Sequence, residues 1–294
     1  MLIARLIAET GECETRLDAL SSALAEAGAP LLAAAMPQAE GDVLELRFDA
    51  GEPAAVLTAI DAVFQPADML VARGAIALPR LFVSDMDSTM IGQECIDELA
   101  DYAGLKPQIA AITERAMQGE LDFEAALRER VALLAGLDEG AIHACLTDRI
   151  TAMPGAKTLV ATLAALGART VLVTGGFHHF ADPVAQQLGF HRVVGNRLAV
   201  EGRKLTGGLI GPITDSAVKA AVLQDELALL GKGAHSLATG DGANDIPMIE
   251  AATYGFAYRA KPKARAAANG RIDAGDLTAV LTLLGVPKDQ WRDV

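Results

Sequence analysis

The chain has 294 residues, 51% of them hydrophobic, with 38 acidic against 25 basic side chains and a formal charge of −13. That composition excludes a disordered tail, the length calls for one large domain or two, and the acidic field disfavours nucleic acid as a partner because it repels phosphate backbones. Apolar residues come in short runs broken by Gly, Pro and charge, none near the roughly 20 that a membrane-spanning helix needs, so a soluble protein with no membrane partner is expected.

The start, MLIARLIAETGECETRLDAL, is interrupted by Arg5, runs at once into acids and lacks a basic leader, so no export signal is read. Cys13, Cys95 and Cys145 are far apart with no CxxC pair, which supports neither a disulfide framework nor a zinc cluster. Each is expected to be a small buried apolar residue in a cytoplasmic protein.

Residues 1–74 read as a unit of their own. Apolar runs at Leu2–Ala8, Leu31–Met36, Val43–Phe48 and Met69–Ala72 alternate with helical patterns at Cys13–Ala27 and Pro53–Phe64. The order β-α-β-β-α-β suits a small antiparallel sheet with both helices on one face. Nothing in it looks catalytic. Gly74 and Pro79 mark a linker over 75–80, and a second domain is expected over 81–294.

In that second domain, Leu81–Ser84 is a short strand of buried type that ends in Asp85-Met86-Asp87-Ser88-Thr89. From Gln93 to about Ile150 every segment has a helical pattern, which predicts a helical cap, or lid, inserted after the first strand. Strands are expected again at Arg169–Thr174 and Ser236–Thr239, each preceded by helix and each running into glycine. The fold class predicted is therefore α/β, a doubly wound parallel sheet with a helical cap and a small α+β N-terminal domain. Ligands of such sheets bind beyond the carboxyl ends of the strands, where three polar clusters fall.

Asp85 and Asp87 leave a strand on the same side, and paired carboxylates split their pKa values, so one can stay ionised as nucleophile or metal ligand while the other carries a proton. An Asx-type turn is the bland alternative. Thr174-Gly175-Gly176 can bring backbone N–H groups close to an anion with no Cβ in the way, or can be only a tight turn. In Gly240-Asp241-Gly242-Ala243-Asn244-Asp245 two carboxylates four residues apart can converge on a hard cation, but Ile246, Pro247 and Met248 stand where a calcium loop would need further ligands. Lys219, read as lying just ahead of a helix over Ala220–Leu230, would alone be a solvated charge. Beside converging acids it becomes a counter-charge, and the acids call for Mg²⁺.

The order DxDST, a hydroxyl with GG, Lys, then GDGxND, with an all-helical insert after the first motif, resembles the haloacid dehalogenase superfamily and within it the phosphoserine phosphatase family. The likeness runs from about Leu81 to Leu284 and includes DSTMIGQECIDELA, RERVALLAGL, MPGA, TGGF, GNRL, KLTG and GDGANDIPMIEAA. It implies Mg²⁺-dependent hydrolysis of O-phospho-L-serine as the last step of serine biosynthesis. Asp85 would attack phosphorus, and Asp87 would protonate the leaving oxygen and later deprotonate water. Asp85, the Asp87 carbonyl and Asp241 would ligate Mg²⁺, with Asp245 behind them holding water bound to the ion. Thr174, Gly175 and Lys219 would bind the phosphoryl oxygens and Asn244 would help place them; Glu94 and Arg130 would meet the ammonium and the carboxylate. Thr174 stands where that family usually carries Ser, so an altered fit is expected.

The alternative is a phosphatase or phosphotransferase of the same superfamily acting on another small phosphomonoester, such as phosphohomoserine or a sugar phosphate, or passing the phosphoryl group to another alcohol, and Glu94 with Arg130 favours the zwitterion. An ion pump of the same superfamily is disfavoured by Asp87, which hastens hydrolysis. The β-α-β-β-α-β order of the first domain resembles ACT-type modules, which implies an amino-acid sensor or contacts between two copies as a homodimer. His178, His179 and Trp291 are read as helix-start, surface or packing residues outside the catalytic set.

Overall fold

The alternation read from the first 74 residues is realised in the computed structural model, which describes residues 1–8, 10–36, 42–117 and 120–292. Its elements are β1 (Leu2–Ile7), α1 (Thr10–Glu26), β2 (Leu31–Ala35), β3 (Val43–Phe48), α2 (Pro53–Phe64) and β4 (Met69–Arg73). The strands pair antiparallel in the order β2-β3-β1-β4. Alternate residues such as Leu2, Ala4 and Leu6 of β1 join Leu24 and Ile60 of the helices in a core of their own, as a half-buried sheet requires.

After the 75–80 connection come β5 (Leu81–Ser84) and four cap helices, α3 (Cys95–Tyr102), α4 (Lys106–Met117), α5 (Phe123–Ala132) and α6 (Gly140–Arg149). The chain returns through α7 (Ala156–Ala165), β6 (Arg169–Phe177), α8 (His178–Leu188), β7 (Arg192–Glu201), β8 (Lys204–Ile210), α9 (Ser216–Leu230) and β9 (Ser236–Gly240). It ends with α10 (Ile246–Ala251), β10 (Tyr254–Tyr258), α11 (Pro262–Ala267), β11 (Gly270–Ile272) and α12 (Ala279–Leu284). Strands β11-β10-β9-β5-β6-β7 run parallel, and β8 closes the edge as an antiparallel hairpin partner of β7. Both faces of the sheet are covered: Leu81, Val83, Val171 and Val173 pack beneath α9, while Phe82 and Leu172 face the larger core on the other side.

Several elements go beyond the sequence reading. The strands at β7, β8, β10 and β11 were not anticipated, because short runs with interspersed Gly and Arg carry little period. Lys219 lies within α9 rather than ahead of it: the helix begins at Ser216, where the Asp215 side chain caps it by accepting from Val218 N–H at 2.9 Å. The two sheets are also continuous. Strand β4 pairs antiparallel with β11, making one sheet of 11 strands. Met69 and Val71 of β4 face the N-terminal core while Leu70 and Ala72 face the core of the second domain. Asp61 of α2 reinforces the join by accepting two bonds of 2.8 Å from Arg265 and a further one from Arg271. Cys95 and Cys145 are buried thiols as expected, and the Cys13 side chain lies outside the described residues. Among the described residues no helix is long and apolar enough to cross a membrane.

Glu226 fixes α9 to the sheet. Its carboxylate, 4% exposed, accepts from Arg169 at 3.2 Å and Arg192 at 2.5 Å, at the starts of β6 and β7. Burial alone would raise its pKa, but the bonds from Arg192 and Arg169 overcome this and hold it below the ordinary 4.5. A depressed folded-state pKa stabilises the fold above the unfolded value and loses that contribution as pH falls through the folded value. Glu226→Gln is therefore expected to cost about 1–2 kcal/mol at pH 7, since both arginines are partly exposed, and clearly less below pH 4. Urea denaturation of both proteins across that range checks it; a pH-independent difference would contradict it.

Candidate active site

The reversal of strand order falls between β5 and β9, and this switch point builds the site. Ser84 is registered opposite Thr239, and Asp85 N–H donates to the Thr239 carbonyl at 3.0 Å, so Asp85 and Asp241 leave the sheet side by side. Beneath them Thr239 Oγ1 donates to Ser84 Oγ at 2.7 Å, joining the two strand ends through buried hydroxyls.

Lys219 rises from α9 into this junction and is 1% exposed. Its ammonium lies 2.8 Å from Asp85 Oδ1 and 2.7 Å from Asp245 Oδ1. Asp85 Oδ1 also accepts from Met86 N–H at 2.8 Å. The second oxygen of Asp245 accepts from the N–H groups of Asp241 and Gly242 at 3.1 and 3.0 Å. That return bond explains the glycine before Asp241: a Cβ on Gly240 would stand 2.5 Å from the Asp245 carboxyl carbon.

One carboxylate oxygen from each of Asp85, Asp241 and Asp245 lies within 4.8 Å of the others. Burial and the neighbouring Asp245 push the Asp85 carboxyl well up, against the pull of Lys219. Asp241 is raised to about 6 by burial and Asp245, with Lys261 opposing at 3.7 Å. Burial works against the Lys219 ammonium, but Asp85 and Asp245 outweigh it and hold its pKa above the ordinary value. Three buried carboxylates around one buried ammonium are short of positive charge by two, and all the free donors are hard oxygens, so the residues fit a divalent cation such as Mg²⁺.

Asp87 faces the same cavity, of about 230 Å³, with one carboxyl oxygen buried and without a hydrogen-bond partner. Burial, then the Glu94 charge, raise its pKa to about 7. A carboxyl in that range can give and take a proton near neutrality. The following residue, Ser88, adopts a left-handed backbone with φ of 55°. This uncommon conformation is held by Ser88 N–H on the Gln93 carbonyl at 3.3 Å and by Ser88 Oγ on Glu94 at 2.7 Å.

Thr174 ends the regular part of β6, and its Oγ1 accepts from Gly176 N–H at 2.9 Å, curling the chain so that Gly175 lines the cavity. Asn196 clamps this turn: it donates to the Gly175 carbonyl at 2.7 Å and accepts from Thr214 N–H at 2.8 Å. From the cap, Glu94 at the start of α3 and Arg130 on α5 reach the same cavity. Arg130 is half-buried and donates to the Ala126 carbonyl at 3.3 Å; burial lowers its pKa while Asp97 and Glu94 oppose this.

Asp85, Asp87, Glu94, Arg130, Thr174, Gly175, Asp241 and Asn244 thus line one cavity, with Lys219 and Asp245 directly beneath. Phe123 and Lys261 also line it and were missed, as was Asn196. The GNRL stretch enters the family resemblance without a role for its Asn, whereas nothing near Phe123 or Lys261 marks them, since each reaches the cavity only through the path of a cap helix or a late loop. His178 opens α8 paired with Asp182 at 2.8 Å and stands outside this set, as does Trp291, which packs on the core.

A family model described as haloacid dehalogenase-like hydrolase matches residues 82–250. The phosphoserine phosphatase of Albidiferax ferrireducens is 44% identical over 69% of this chain and 89% of its own length. Two other curated relatives are longer, and the chain spans about half of each, 52%. Among solved structures, a HAD family hydrolase from Salmonella enterica serovar Typhi superposes with a TM-score of 0.82 at 30% identity over 97% of this chain and 99% of that one. A probable phosphoserine phosphatase from Vibrio cholerae gives 0.74 at 32% identity over 98% and 87%. With its matched motifs on one switch point and these likenesses over most of its length, the chain belongs to the haloacid dehalogenase-like hydrolases.

Proposed function

We propose that this enzyme is a phosphatase that hydrolyses O-phospho-L-serine to L-serine and phosphate, the reaction that completes serine biosynthesis, in the cytoplasm. The observation that carries the reading is the convergence of two dissimilar sets of groups on one cavity. A core set (Asp85, Asp87, Thr174, Gly175, Lys219) suits phosphoryl transfer, and a cap pair of opposite charge (Glu94, Arg130) suits an amino acid's ammonium and carboxylate. In domain terms, residues 1–74 are an ACT-like unit joined by 75–80 to the phosphatase domain, whose cap spans about 93–150.

Lys219, the Thr174 hydroxyl and the Gly175 N–H hold the phosphoryl oxygens, with Asn244 beside them, and thereby place phosphorus in line with Asp85. A carboxylate oxygen of Asp85 attacks phosphorus, the bond from phosphorus to the serine oxygen breaks, and Asp87 supplies the proton that the serine oxygen takes. The Asp87 carboxylate then takes a proton from water as that water attacks the aspartyl-phosphate, which frees phosphate and restores Asp85. Because phosphoryl transfer depends on positioning and charge stabilisation, a rigid charged floor serves it well. Asp85, Asp241 and the Asp87 carbonyl would hold Mg²⁺, with Asp245 behind them, its own oxygens engaged by N–H donors. When bound, the ion draws negative charge from the phosphoryl oxygens.

Asp85→Asn is expected to leave folding intact and lower phosphate release from phosphoserine by about three decades or more, since an amide cannot form the intermediate. Activity within tenfold of the parent would sink the assignment. Arg130→Ala should raise KM for phosphoserine by about tenfold or more while sparing an aryl phosphate that lacks a carboxylate; equal loss on both would place Arg130 at the phosphoryl group instead. Treatment with EDTA should abolish turnover, and added Mg²⁺ should restore it and raise the thermal midpoint of the protein.

A further inference from the structure

We propose that Asp68, in the N-terminal unit, is a positioning residue for substrate recognition that acts on Glu94 through the loop 273–278 and the paired linkers of the cap. The inference rests on the reading of Glu94 as the ammonium contact. Asp68 is 5% exposed and reaches across the domain junction. Its Oδ1 accepts from the N–H groups of Asp273 and Ala274 at 2.8 and 2.9 Å, and its Oδ2 accepts from Gly275 N–H at 2.9 Å. One carboxylate thus organises three successive backbone donors into an anion nest, the kind of site that loops elsewhere offer to a ligand. The fit leaves no slack: a Cβ on Gly275 would stand 2.4 Å from Asp68 Oδ2.

The far end of the same loop presses on the return linker of the cap. Leu277 N–H donates to the Pro154 carbonyl at 3.2 Å, and a Cβ on Gly155 would meet Asp276 Oδ1 and Thr278 N at 2.8 Å each. The return linker is in turn paired with the outgoing one. Ile91 and Ala152 form an antiparallel bridge, Met153 N–H donates to the Met90 carbonyl at 2.8 Å, and Gly92 N–H donates to the Thr151 carbonyl at 3.1 Å. The Gln93 side chain closes the pair by bonding Thr151 twice, both at 2.9 Å. The next residue is Glu94. Every step from Asp68 to Glu94 is therefore a hydrogen bond or a close backbone contact, and none uses a side chain of the nucleophile, the phosphate turn or the acidic cluster; the outgoing linker meets the loop after Asp85 through backbone bonds, Met90 and Ile91 N–H on the Met86 carbonyl and Ser88 N–H on the Gln93 carbonyl. Loosening the loop should disturb amino-acid recognition and spare phosphoryl transfer.

The test uses the full-length enzyme with Mg²⁺ and two substrates, phosphoserine and p-nitrophenyl phosphate, which has neither ammonium nor carboxylate. Asp68→Ala is expected to raise KM for phosphoserine about fivefold or more while kcat and KM for p-nitrophenyl phosphate stay within about twofold, and Asp68→Asn, which keeps one acceptor oxygen, should recover most of the loss. Added to Glu94→Gln, Asp68→Ala should cost phosphoserine use less than about twofold more, because the relay then has nothing left to position. Equal losses on both substrates, or independent losses in the double variant, overturn the inference and leave the Glu94 reading standing. Should Glu94→Gln use phosphoserine as the parent does, that reading falls and takes the inference with it. If Asp68→Ala yields no folded protein, Gly275→Ala, whose Cβ would press on Asp68 Oδ2, carries the same comparison: selective loss on phosphoserine supports the relay, and parental or unselective kinetics overturn it.

Discussion

A single buried ammonium holds the catalytic floor together. Lys219 touches Asp85 and Asp245 within 2.8 Å, and each contact is worth about 6 kcal/mol at an effective dielectric near 20. The carboxylates of Asp85, Asp241 and Asp245 lie within 4.8 Å of one another, and each pair repels by at least about 3 kcal/mol on the same scale. The ammonium therefore offsets the mutual repulsion and little more, while the desolvation of four ions, several kcal/mol apiece, is left uncovered. Such a cluster persists only because the fold imposes it, and its shortage of positive charge suits a bound divalent cation. Burial, with Asp245 beside Asp85 and Asp241 and Glu94 beside Asp87, raises these carboxyl pKa values and brings Asp87 to about 7.

The fold imposes the cluster by converting strand register into side-chain position. Adjacent parallel strands place Ser84 against Thr239, and glycine at position 240 lets the second chain turn without colliding with Asp245. Helix α9 must then carry Lys219 to the right height. Two devices set it: the Asp215 cap at its start and Glu226, bound to the heads of β6 and β7, near its end. A lysine with two buried partners is thus positioned by residues well away from the chemistry.

How much of this was legible beforehand follows from the range of the interactions. Asp85, Asp87, Thr174, Gly175 and Asp241 announce themselves because each sits where a strand pattern stops and glycine or a hydroxyl begins, a local signal. Lys219 has no local signal, and its role emerges only beside the acids that need it. Phe123 and Lys261 could not be found this way, since their place depends on where a helix or loop from another segment returns. The join of β4 to β11 is likewise invisible in sequence. It rests on the two-sided burial of β4 and on Asp61 meeting Arg265 and Arg271, partners about 200 residues away.

The proposed chemistry and the proposed recognition fall on two differently mounted parts, the core and the cap. The groups proposed for phosphoryl transfer stand on strand ends locked in the sheet and, for Lys219, on α9 packed against it, whereas Glu94 and Arg130, proposed for recognition, stand on helices attached by two linkers. Those linkers are not slack tethers: they pair with each other over residues 90–93 and 151–153, and the nest that Asp68 fills braces them from below. A cap mounted in this way can admit and enclose a substrate without disturbing the acidic floor, because the two share a cavity but few hydrogen bonds. The loop after Asp85 supplies those few: Ser88 bonds Glu94 through its hydroxyl and the Gln93 carbonyl through its N–H, and Met90 and Ile91 N–H donate to the Met86 carbonyl, which ties the strained turn after Asp87 to the start of the cap.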